Sequence, residues 1–108
     1  MIKEIVFLKD SAGNISDVTI NILYPVEEEK MKWKSQVEIT YGNFSLCGKV
    51  SIHNTTQLLS LKTALLFADK ILEDFIKDRQ GVLFFSKEGA MNNNLDDQYL
   101  IGMLDKLI

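Results

Sequence analysis

The chain has 108 residues, 46% hydrophobic and 25% charged, which is room for one domain around one core and excludes a second. Its net charge of −3 repels phosphate backbones, and its basic residues are scattered, as in Lys30-Met31-Lys32-Trp33-Lys34, so no nucleic acid is expected as partner. Apolar runs fall far short of the about 18 residues a membrane-spanning helix needs, and the lone Cys47 and an opening Met1-Ile2-Lys3-Glu4 without a signal-peptide core make a reducing cytoplasm the expected compartment.

Ile2 to Leu8 is rich in β-branched and large apolar residues and runs into the turn formers Asp10-Ser11-Ala12-Gly13-Asn14, which predicts a strand and a hairpin loop. Val18 to Tyr24 alternates apolar and polar residues as a second strand, and Pro25 is expected to end it by withdrawing a backbone donor. Val26-Glu27-Glu28-Glu29-Lys30-Met31 reads as a charged, solvated loop tip, because three adjacent carboxylates repel one another when packed. The clearest period of two follows, with Trp33, Ser35, Val37, Ile39 and Tyr41 on one face of a third strand. Gly42-Asn43 then predicts a tight turn into a fourth strand, whose Phe44, Leu46, Gly48, Val50 and Ile52 alternate with Ser45, Cys47, Lys49, Ser51 and His53.

Asn54 to Arg79 carries Leu58, Leu61, Leu65, Ala68, Leu72 and Phe75 at spacings of three and four, one buried stripe of a long helix. Asn54 is the expected N-cap, with Gln57 reaching back to it, and Gly81 the expected stop. Val82-Leu83-Phe84-Phe85 reads as a short fifth strand and Lys87 to Asn94 as a loop. Asn94 is then expected to cap a closing helix with Leu95, Tyr99, Leu100, Met103, Leu104 and Leu107 on its apolar face. The expected fold class is therefore α+β: a four-stranded antiparallel meander covered on one face by a long helix, then a short fifth strand and a C-terminal helix.

Catalytic and ligand-binding patterns are sparse. His53, the one histidine, is expected on the polar face in the same row as Cys47 but about 20 Å away along a straight strand, beyond hydrogen-bond reach, so no nucleophile pair forms. Neither Cys-x-x-Cys nor His-Glu-x-x-His occurs, adjacent acids such as Asp96-Asp97 point apart, and the glycines are isolated. No catalytic residue, cofactor or metal is expected. The surplus feature is on the long helix, where Leu59 and Leu66 fall outside the half that a sheet covers. Either the closing helix or the Phe84-Phe85 segment packs over them, or they form a homodimer or partner contact. The polar sheet face, with Thr19, Asn21, Gln36, Glu38, Thr40, Ser45 and Ser51, is the alternative docking surface.

Strands followed by a helix opening Thr56-Gln57-Leu58-Leu59-Ser60-Leu61, with Ala64-Leu65 one turn later and a short apolar segment, resemble small bacterial proteins of the immunity type found beside polymorphic toxins. The resemblance covers Trp33 to Phe85. It implies a non-enzymatic cytoplasmic binder that occludes a partner with acidic loops, here Glu27, Glu28 and Glu29, and exposed side chains. A protein-binding module of immunity or accessory type, pairing with a partner or with itself, is the first expected function. The alternative is a small enzyme or ligand carrier with a pocket between helix and sheet near Trp33, Tyr41 and His53.

Overall fold

The computed structural model describes residues 1–100. Its elements are β1 (Ile2–Lys9), β2 (Ile15–Glu29), β3 (Lys32–Tyr41), β4 (Phe44–Asn54), α1 (Gln57–Arg79), β5 (Val82–Phe84), α2 (Lys87–Asn92), a 3-10 turn (Leu95–Asp97) and β6 (Gln98–Tyr99). The strands form one sheet in the order β4-β3-β2-β1-β5-β6, antiparallel throughout. The fold is α+β, with the first four strands a meander and α1 lying across β2, β3 and β4.

The core forms where the alternating strand residues meet the helical stripe. Val18, Ile20, Ile22, Val37 and Ile39 are buried from the sheet, and Ala64, Leu65, Ala68, Leu72 and Phe75 from the helix. Each fully buried aliphatic side chain contributes about 1.5–3 kcal/mol. Leu61 is half-buried, but Leu58, expected in the stripe, is 59% exposed, while Ser60 of the same turn is fully buried against the sheet. Ser35, the one polar residue on the apolar face of β3, is fully buried and meets the equally buried Ser60 of α1 at 3.0 Å. Ser60 Oγ donates to the Ile52 carbonyl at 3.3 Å, so the Ser35 hydroxyl is the donor between the two serines. At the other end of the helix Arg79 stacks over Tyr41 and Phe75, 5.2 and 5.8 Å from the ring centroids.

Several local expectations are corrected. Thr56, not Asn54, is the N-cap: its Oγ1 accepts from the Leu59 N–H at 3.1 Å, while the Asn54 amide donates to Thr63 Oγ1. The helix ends at Gln80, which takes the left-handed conformation (φ 51°) next to Gly81. Gly81 serves close approach instead, since a Cβ there would lie 2.6 Å from Leu8 Cδ1. Pro25 does not end β2. It sits in a register shift between Leu23 and Val26, where its missing N–H costs no ladder bond, and the strand runs on to Glu29. Glu27, Glu28 and Glu29 therefore lie in a strand, and the turn is Lys30-Met31, with Met31 at φ 60°.

The second half of the chain departs further. Lys87–Asn92 is a helix, not a loop: Ser86 caps it by accepting from Gly89 N–H, and Asp97 accepts from both Ser86 N–H and Ser86 Oγ. Leu95 to Tyr99 is not the start of a closing helix, because Asn94 caps a single 3-10 turn and Gln98–Tyr99 pairs with β5. Buried Tyr99 donates to buried Asp69 of α1. The remaining residues of the expected helix face, Met103, Leu104 and Leu107, lie outside the described residues.

Candidate interaction surfaces

Three surfaces carry the residues singled out by the sequence. The first is the outer face of α1. Leu59 and Leu66 are 47% and 49% exposed, so neither the Phe84-Phe85 segment nor any other described element buries them. Seven residues apart on a helix, they lie about 10 Å from each other on one side. They share that side with Lys70 and Glu73, and ion pairs Lys70–Asp74 and Lys77–Glu73 (3.5 and 3.0 Å) run along it. Lys77 holds the Glu73 carboxyl below its ordinary pKa, and Glu73 in turn raises that of Lys77.

The second is the arm formed where β2, β3 and β4 extend past β1. Glu27 lies opposite Trp33 and Glu29 opposite Lys32, while Glu28 reaches across two strands, 3.1 Å from His53 Nε2 and 3.9 Å from Lys34 Nζ. Glu28 is thus committed within the chain. Glu27 and Glu29 are the acids the arm displays.

The third is the sheet face opposite α1. Lys3, Ile5, Thr19, Asn21, Leu23, Gln36, Glu38 and Thr40 point there, alternating with the core residues. Lys9 Nζ, on the same face, donates to the Ala90 carbonyl and Asn93 Oδ1, which places α2 over one end; no other described element covers the remainder. A shallow concavity of about 230 Å³ in the open part is lined by Met1, Asn21, Leu23, Gln36, Glu38 and Lys49. Asn21 Oδ1, shut off from solvent, has no hydrogen-bond partner among the described residues.

Cys47 does not share this face. Two register shifts in the β3–β4 pairing, between Val37, Ile39 and Thr40, set Cys47 opposite Ile39 and turn it into the core. Burial, followed by the Glu38 charge, pushes its thiol pKa up, the opposite of what a reactive thiol needs. Trp33, Tyr41 and His53 are not brought together. Trp33 and Tyr41 stand at opposite ends of β3, about 26 Å apart along the strand, and His53 points to the open face.

Among the described residues no three His, Cys, Asp or Glu side chains gather as a metal site, and no helix is long and apolar enough to cross a membrane. The polar face was nominated by alternation alone, but Met1, Leu23 and Lys49 were missed. Leu23 is in phase with Thr19 and Asn21, and Lys49 with Ser45 and Ser51, so alternation reaches both. No protein-family model, curated protein or solved structure matches the chain.

Proposed function

We propose that the protein is a non-enzymatic binding module of immunity or accessory type that occludes or pairs with a partner protein. The observation that carries this reading is the half-exposed Leu59 and Leu66 on a helix whose other side is fully committed to the core. An apolar pair framed by charges on a rigid helix has the makeup of an interface centre with a polar rim. Leu58, also exposed one turn from Lys62, extends the apolar area, and Glu27 and Glu29 on the arm supply negative charge for steering a basic partner.

The test is affinity capture from the native cell extract with tagged wild-type protein and with Leu59→Glu/Leu66→Glu. A stoichiometric partner held by the first and lost by the second, with unchanged circular dichroism, supports the reading. Equal capture by both removes α1 as the docking face.

A further inference from the structure

The open sheet face carries a charge pattern that is complementary to itself. The strand registers place Lys3, Asn21 and Glu38 side by side in one row across β1, β2 and β3. Neither Lys3 nor Glu38 makes an ion pair among the described residues. One row along, the exposed Leu23 lies between Met1 and Gln36, and in the opposite direction Thr19 lies between Ile5 and Thr40.

We infer that this face is the contact between two copies of the chain, related by a two-fold axis that runs parallel to β2 and passes over Asn21. Rotation about that axis exchanges the β1 and β3 positions. Lys3 of each copy then faces the partner's Glu38, so the row makes two reciprocal ion pairs on either side of the axis. Leu23 packs on the partner's Leu23 with Met1 beside it, and two rows away Ile5 meets the partner's Thr40.

The size of the contact sets its strength. Three strands about 4.8 Å apart and three to four rows about 6.8 Å apart give on the order of 400 Å² per copy, with α2 bounding one end. That is half the roughly 800 Å² per partner of a stable complex, so the dimer is reversible and fills only at high concentration. The inference does not depend on the function proposed above, which uses the opposite side of the molecule.

Sedimentation velocity from low micromolar to near-millimolar protein tests it. The wild type is expected to move toward twice the monomer mass as concentration rises. Lys3→Glu alone and Glu38→Lys alone are each expected to weaken association at least about tenfold, since both reciprocal pairs become repulsive. Mixing the two single variants is expected to restore it, because each then offers the charge the other requires. Pairing of these residues within one chain could not produce that rescue. Leu59→Glu/Leu66→Glu is expected to leave the dimer unchanged, which separates this face from the helix surface. A wild type that stays monomeric throughout, single variants that associate normally, or a mixture that is not rescued overturns the inference.

Discussion

The Ser35–Ser60 contact gives a prediction that depends on which hydroxyl donates. Ser60 spends its proton on the Ile52 carbonyl, so Ser35 must donate to Ser60, and both side chains are fully buried. Ser60→Ala strands the Ser35 hydroxyl with its proton unpaired and removes a bond to the Ile52 carbonyl. An unsatisfied buried donor costs about 1–3 kcal/mol, and the better helix propensity of alanine returns about 0.5 kcal/mol. The expected net loss is about 0.5–2.5 kcal/mol. Ser35→Ala leaves Ser60 still bonded to Ile52 and should cost less, about 0.5–1.5 kcal/mol. In Ser35→Ala/Ser60→Ala no donor is stranded, so the double variant should fall short of the sum of the singles by about 1 kcal/mol. Urea unfolding followed by circular dichroism gives all three values on one scale. Additive losses, or a Ser35→Ala more damaging than Ser60→Ala, would refute the donor assignment.

Leu72→Ala, at a side chain with no exposed surface against the sheet, should lose about 2–5 kcal/mol in the same assay; a loss below about 1 kcal/mol would mean that the helix is not seated there. Lys9→Met removes the two bonds that hold α2 to the sheet, so amide exchange should accelerate in Lys87–Asn92 while β2 and β3 keep their protection. Cys47 should resist a thiol-specific disulfide reagent until urea unfolds the chain. Its folded pKa is raised, so its contribution to stability is complete below the ordinary thiol pKa of about 8.5. That contribution falls as pH rises beyond it, where the unfolded chain ionises first. Comparing the alkaline slope of stability with that of Cys47→Ala isolates this effect, and identical slopes would contradict it.

Where periodicity was strong, sequence and structure agree. The alternation in β3 and the three-and-four spacing from Leu61 to Phe75 each describe one face, and that face is what the hydrophobic effect selects. Side chains whose fate depends on a distant partner were not legible. Ser35 looked like a flaw in an apolar face until Ser60, 25 residues away, supplied its acceptor. The burial of Asp69 likewise depends on Tyr99, 30 residues away. Pro25 was read by its local rule, and the bulge that tolerates it arises from pairing with β3. The same holds for Cys47, which a bulge moves to the other face. Leu59 and Leu66 were legible because their exposure follows from helix geometry and one covering layer.

The central claim, that the outer face of α1 receives a partner protein, is tested most directly by hydroxyl-radical footprinting of the complex recovered from native cells against the free chain. Leu59 and Leu66 should lose reactivity in the complex, while Leu95, exposed on the 3-10 turn, keeps its own. Leucines at 59 and 66 that react equally in both states would contradict it.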